Sequence, residues 1–65
     1  MTDRQKEIIL ALAEHDMNQQ RAARAIYTSS TTVRFHINKI KECTGLDPMN
    51  FFDLAKLYER VKGRK

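Results

Sequence analysis

The sequence predicts a small all-α domain of four short helices. Its 65 residues include only two glycines and one proline, and 42% hydrophobic and 31% charged residues are typical of a folded domain. Apolar residues recur at helical spacing, and Ser, Thr, Asn or Asp residues stand where helices would begin. A chain of this length buries one modest core and leaves little room for a substrate cleft, so we do not expect an enzyme.

Capping chemistry predicts the first two helices. Thr2 and Gln5 have the spacing of a capping box, and the segment after them, which contains no helix breaker, predicts a helix over residues 3–15. Asn18 can accept hydrogen bonds from the first free backbone N–H groups of a second helix, which we place over residues 19–26. Only a short connector therefore separates the two helices.

Hydroxyl residues separate the second helix from a third. The run "YTSS" contains side chains that bond local backbone at turns and N-caps, so either Ser29 or Ser30 is expected to cap a helix over residues 30–43. Gly45 is a natural left-handed stop for this helix. Its apolar stripe is expected to consist of Val33, Ile37 and Ile40.

The fourth helix is expected over residues 48–62, with Asp47 as its N-cap and Pro48 at its first position. Its apolar band is wider than one small core requires. One stripe consists of Phe51, Leu54, Ala55, Tyr58 and Val61. Phe52 and Leu57 fall partly outside it, so either the whole band packs in the core or these two support a weak homodimer.

The second and third helices are joined so tightly that they predict a helix-turn-helix. A short turn forces a steep crossing angle, and the small side chains of Ala22 and Ala23 would let the two helices touch. In this motif the N-terminal end of the second helix enters the major groove of DNA. We therefore expect residues 30–43 to form the recognition helix and double-stranded DNA to be the partner.

The charge distribution agrees with a nucleic-acid partner. Residues 18–41 contain five basic and no acidic residues, whereas the rest of the chain contains seven basic and eight acidic residues. The whole excess of the net charge of +4 thus lies around the predicted helix-turn-helix. Acidic side chains would repel DNA phosphates there. A solvated basic face is the alternative explanation.

Six side chains are candidates to contact bases because they lie on the outward face or at the N-terminal end of the third helix: Ser29, Ser30, Thr31, Arg34, Phe35 and Asn38. Arg34 can bind guanine with two hydrogen bonds, and Asn38 can pair with adenine. The alternative for Arg34 is a surface bridge to a neighbouring helix. Phe35 either contacts a thymine methyl or, in the favoured interpretation, packs on the fourth helix.

Seven further residues are candidates to contact phosphates, which position a domain without specifying sequence: Gln19, Gln20, Arg21, Thr32, His36, Lys39 and Lys41. The first three lie at the start of the second helix, where the helix dipole favours an anion. Solvated surface is the alternative for each lysine. The closing "KGRK" either contacts the DNA backbone or keeps the chain end soluble.

No cofactor, metal or small-molecule ligand is expected. His15 and His36 are 21 residues apart without matched ligand partners, and the single Cys43 is expected to be a buried or half-buried thiol. No apolar run approaches about 18 residues and no signal peptide is apparent, so we expect a cytoplasmic protein that does not bind membranes. A helical protein-protein interaction module without DNA affinity is the main rival interpretation.

The same residues resemble the C-terminal helix-turn-helix domain of PucR-type bacterial transcription regulators, which include purine-catabolism and carbohydrate-diacid regulators. The resemblance covers about residues 5–62 with unbroken spacing. It rests on paired alanines, a large apolar residue three positions on, a Thr-apolar-Arg-aromatic opening of the recognition helix and a closing Thr-Gly-Leu-Asp. The corresponding residues are Ala22, Ala23, Ile26, Thr32, Val33, Arg34, Phe35, Thr44, Gly45, Leu46 and Asp47. A more distant similarity to the Fis-type helix-turn-helix rests on the alanine pair and Thr-apolar-Arg.

The resemblance implies that the chain is a single DNA-binding domain over residues 1–65, the C-terminal module of a larger regulator that senses its effector elsewhere. Two positions depart from the family pattern. Ser29 stands where members often carry histidine, which changes the side chain available for base contact at the turn. His36 stands where members often carry arginine and lacks that permanent charge, for which Lys39 and Lys41 can compensate.

Overall fold

The computed structural model describes residues 2–63, so the last two residues of the basic tail lie outside the described part. The prediction of an all-α domain of four helices is confirmed. Two helices end one residue earlier than expected, before His15 and Ile26, and the third ends one residue later. The helices are α1 (Asp3–Glu14), α2 (Gln19–Ala25), α3 (Ser30–Thr44) and α4 (Phe51–Val61).

The predicted caps of α1 and α2 are confirmed. The Thr2 hydroxyl accepts a hydrogen bond from the Gln5 N–H at 3.2 Å, and the Gln5 side chain accepts one from the Thr2 N–H at 3.1 Å. Asn18 accepts from the N–H of Arg21 at 3.0 Å. Each cap satisfies backbone donors that have no partner inside the helix and is worth about 1 kcal/mol.

The prediction that α4 begins at Pro48 beneath an Asp47 cap is wrong. Asp47 instead folds the chain into a turn, because its carboxylate accepts from the N–H of Met49 at 2.9 Å and its carbonyl oxygen accepts from the N–H of Asn50 at 2.9 Å. Asn50 is the cap, since its side chain accepts from the N–H groups of the second and third helical residues at 3.0 and 3.1 Å. The helix ends at Val61, one residue before the predicted end.

One hydrophobic core holds the helices together. α1 packs against the other three helices, α2 packs against α3, and α4 packs on α1. The predicted stripe of α3 is confirmed, because all three of its residues are buried. The largest fully buried side chains of the helices are Ile8, Ile9 and Leu12 from α1, Val33 and Ile40 from α3, and Leu57 from α4.

The predicted core face of α4 is partly wrong. Phe51 is 67% exposed instead of packed in the core, whereas Leu57 is fully buried instead of lying at the edge. The reason is the direction from which α1 approaches: the inward side runs along Leu54, Leu57 and Val61. Phe52 is 73% exposed, and its ring meets that of Phe51 edge to face at 5.4 Å between centroids. Two adjacent phenyl rings therefore face solvent.

The end of α3 differs from the sequence prediction at one side chain. Cys43 is exposed, so the expectation of a buried or half-buried thiol is wrong. Thr44, not Cys43, continues the inward stripe, and its hydroxyl donates to the carbonyl oxygen of Ile40 at 2.7 Å. Gly45 ends the helix as predicted, with a φ of +75° in the left-handed region.

Candidate nucleic-acid interface

The turn between α2 and α3 is a Schellman motif with a tyrosine at its left-handed position. The N–H of Thr28 donates to the carbonyl oxygen of Ala23 at 2.8 Å, and the N–H of Tyr27 donates to that of Arg24 at 3.2 Å. Tyr27 has a φ of +57°, a conformation that glycine usually supplies at this place in the motif. The two backbone hydrogen bonds stop α2 abruptly and turn the chain directly into α3.

The angle between α2 and α3 is fixed by close packing. Ala22 and Ala23 are both buried, as their small side chains predicted, and α2 packs on both α1 and α3. Arg4 of α1 adds a polar tie, because its guanidinium lies 3.4 Å from the carbonyl oxygen of Ile26 and pairs with Glu7 at 2.7 Å. The start of α3 is thus held on a rigid support.

Ser29 is the N-cap of α3. Its hydroxyl accepts from the N–H of Thr32 at 3.1 Å and lies 3.0 Å from the Thr32 hydroxyl. Both residues were candidates for DNA contact, and both hydroxyls take part in the cap. A hydroxyl has one donor and two acceptor sites, so each retains some capacity for a further bond.

The structure places five of the six base-contact candidates on the first nine residues of α3. Ser30, Thr31 and Arg34 line one depression of about 140 Å³. Asn38 is exposed and lies one helical turn beyond Arg34 on the same side. Among the described residues Arg34 makes no ion pair or hydrogen bond, which argues against a bridge to a neighbouring helix.

Phe35 does not pack on the fourth helix, so the favoured interpretation of this residue is wrong. Its side chain is 56% exposed because α4 packs on α1 and leaves this side of α3 uncovered. The ammonium group of Lys39 lies 5.6 Å from the centre of its ring, and the His36 ring meets it edge to face at 5.4 Å. The ring is therefore available next to the base-contact candidates.

Of the three phosphate candidates of α2, only Gln20 lines a second cleft. Gln20 and Arg21 are exposed and Gln19 is half-buried, but the backbone N–H of Arg21 is already bonded to Asn18. The cleft has a volume of about 280 Å³ and lies between α2 and the start of α3. It is lined by Gln20, Ala23, Arg24, Thr28 and Ser30.

The remaining phosphate candidates lie along α3. Lys39 and Lys41 are exposed, and Lys39 lies 3.9 Å from Glu42 in a solvent-exposed pair that contributes little energy. His36 is half-buried, and its Nδ1 is buried without a hydrogen-bond partner among residues 2–63. The sequence placed these side chains on one helix, and the structure leaves both lysine charges accessible.

Two exposed residues beside this surface had no role in the sequence analysis. Arg24 lines the cleft between α2 and α3. Tyr27 is 95% exposed at the turn. Glycine and asparagine, the usual sequence signals for a left-handed turn, do not occur there, so no signal marked Tyr27.

The tight α2–α3 pair, with its polar and exposed recognition face, defines a helix-turn-helix domain. The family model of the PucR C-terminal helix-turn-helix domain matches residues 6–61, and the chain belongs to this family. Its membership indicates the DNA-binding domain of a regulator. The resemblance inferred from the sequence is thereby confirmed. No curated protein and no solved structure matches the chain.

Two further features concern only the described part of the chain. Within residues 2–63, no helix has the length and apolar character needed to cross a bilayer. The same residues contain no group of three or more His, Cys, Asp and Glu side chains that could hold a metal ion.

Proposed function

We propose that this chain binds double-stranded DNA sequence-specifically as the DNA-binding module of a bacterial transcription regulator, with α3 in the major groove. The observation that carries the proposal is the pair of exposed side chains Arg34 and Asn38, one turn apart on the solvent-facing side of α3. Both present hydrogen-bonding groups that match base edges in the major groove. The helix-turn-helix family supports the same partner.

The base contacts follow from side-chain chemistry. Arg34 donates two hydrogen bonds to guanine, and Asn38 pairs with adenine. Ser30 and Thr31, at the helix start, reach either a base or a phosphate, and the exposed ring of Phe35 reaches a thymine methyl. Ser29 contributes mainly by holding the helix start in place.

Phosphate contacts flank the base contacts and set the orientation of the domain. Gln20 and Arg21 approach one strand from the start of α2, with Gln19 beside them. Lys39 and Lys41 provide charge along α3, and Thr32 and His36 offer further hydrogen-bonding groups there. These contacts supply affinity that does not depend on sequence.

Salt dependence of binding tests the proposal. The isolated chain is titrated into fluorescently labelled duplex DNA and anisotropy is measured at several salt concentrations. With about three to five phosphates neutralised, the slope of log affinity against log salt should be roughly −3 to −5. An affinity that stays constant from low to moderate salt contradicts it. Selection of sites from random duplexes then identifies the preferred sequence.

One observation favours a second candidate function, a helical protein-protein interaction module without DNA affinity. The exposed ring of Phe51, which contacts that of Phe52, lines a groove of about 500 Å³ between the end of α1 and α4. Much of its lining is apolar, with Ala13, Met17, Leu54, Ala55 and Tyr58. Exposed apolar patches commonly mark binding surfaces. The same titration separates the two functions, because this module would not bind duplex DNA.

We further propose that the chain acts in the cytoplasm, on the nucleoid, within a larger regulator that binds its effector elsewhere. A weak homodimer is part of this proposal. Leu57 is fully buried and is removed from the predicted dimer contact, whereas Phe52 remains exposed and Phe51 joins it. A patch of two rings is small for a stable interface, which is consistent with weak association.

A further inference from the structure

Tyr27 combines two unfavourable features at the turn of the helix-turn-helix. Its φ of +57° lies in the left-handed region, where a side chain other than that of glycine, asparagine or aspartate is strained. Its side chain is also 95% exposed, so the ring gains almost nothing from burial. The fold alone therefore does not account for a tyrosine here.

Glycine would satisfy the backbone equally well. The Schellman motif uses only main-chain groups, the N–H of Tyr27 to Arg24 and the N–H of Thr28 to Ala23. Glycine adopts the left-handed conformation without steric cost and is the common residue at this position. Strained residues that the fold does not require cluster at functional sites.

The position of Tyr27 indicates what its side chain contacts. In the chain it lies between Arg24 and Thr28, which both line the cleft beside α2, and it is two residues before the α3 cap at Ser29. No acidic residue occurs in residues 18–41 around it. A tyrosine offers an apolar ring and a hydroxyl donor, which together match the deoxyribose and phosphate of a DNA strand.

We propose that Tyr27 contacts the DNA backbone, with its hydroxyl donating a hydrogen bond to a phosphate oxygen and its ring lying against the neighbouring sugar. This inference rests on the proposed DNA binding. In the bound state the turn residue fixes where the strand crosses the start of α3. The free protein carries the strain of Tyr27 in order to present the side chain.

The experiment compares thermal stability and DNA affinity in three variants of the full chain. Tyr27→Gly removes both the strain and the side chain, and Tyr27→Phe removes only the hydroxyl. Asp16→Gly is the control, because Asp16 is also left-handed just after the end of α1, with a φ of +58°, and the next N–H, of Met17, bonds the Leu12 carbonyl oxygen at 2.7 Å.

Tyr27→Gly should raise the melting temperature by roughly 4–8 °C while weakening duplex binding about 10-fold. Tyr27→Phe should keep the melting temperature of the parent chain and weaken binding by a smaller factor. Asp16→Gly should change the melting temperature less than Tyr27→Gly does, because aspartate tolerates the left-handed region. It should not weaken binding, because it removes a negative charge.

The outcomes separate the two proposals. If the parent chain does not bind duplex DNA, the proposed function fails and this inference fails with it. If the parent chain binds and Tyr27→Gly binds equally well, only the contact assigned to Tyr27 is wrong. A Tyr27→Gly variant of lower melting temperature also overturns the inference, because the side chain would then support the fold.

Discussion

Arg34 and Asn38 are four residues apart in α3, and this spacing alone puts them on one side of a helix. Their position could therefore be predicted before any packing was known. Tyr27 could not, because the usual sequence signal for a left-handed turn is glycine or asparagine, and neither occurs there. Phe35 was misassigned for a different reason: its exposure depends on where α4 packs, which local spacing does not specify.

Truncation of Arg34 tests the central base contact. Arg34→Ala should cost about 1–3 kcal/mol of binding free energy on the selected site and relax the preference at one base pair. Arg60→Ala is the matched control, since it removes the same charge from an exposed position on α4. Affinities for the selected site and for its single-base variants provide the measurement. Equal weakening on all sequences would instead make Arg34 a phosphate contact.

At the level of the helices, the sequence predicted the N-cap correctly where only one good capping residue lay near the start of the helix. Thr2 and Asn18 are examples. The start of α4 was mispredicted because Asp47 and Asn50 are both good caps, only three residues apart. Proline at a first helical position favoured Asp47, but the Asp47 carboxylate bonds the N–H of Met49 and makes a turn instead.

The corrected start of α4 leads to a stability prediction. Asn50→Ala removes the acceptor for two backbone N–H groups and should lower the free energy of unfolding by about 0.5–2 kcal/mol. Asn50→Asp retains the acceptor and should preserve stability. Asn38→Ala is the control, because Asn38 lies exposed inside α3, where alanine favours the helix. Urea denaturation followed by circular dichroism measures all three. No loss of stability in Asn50→Ala would show that another group caps α4.

The size of the whole molecule bears on how two copies meet DNA. Its longest dimension is 30 Å. This is less than ~34 Å, the separation of successive major grooves on one face of B-DNA, so two copies fit side by side on adjacent half-sites. The exposed rings of Phe51 and Phe52 belong to α4, which packs on α1 and leaves the recognition side of α3 open.

One helix-turn-helix reads only a few base pairs, so tight binding is expected to require two copies. Alone, the chain should sediment as a monomer or weak dimer, and on a duplex with two half-sites about one helical turn apart it should bind cooperatively. Sedimentation equilibrium over a wide concentration range and titration of one-site and two-site duplexes measure this. Phe52→Ala should reduce cooperativity while preserving affinity for a single half-site. A tight and specific 1:1 complex on one half-site at physiological salt would contradict the prediction.

The environment of His36 decides which nitrogen of its neutral ring carries the hydrogen. Nδ1 is buried without a partner among residues 2–63, and a buried N–H without an acceptor is rarer in proteins than a buried acceptor without a donor. The favoured tautomer therefore has its hydrogen on Nε2. In this tautomer the Nε2 N–H is the ring group that can donate to a phosphate oxygen. A hydrogen bond made in this way orients the domain on the strand and carries no information about the base sequence.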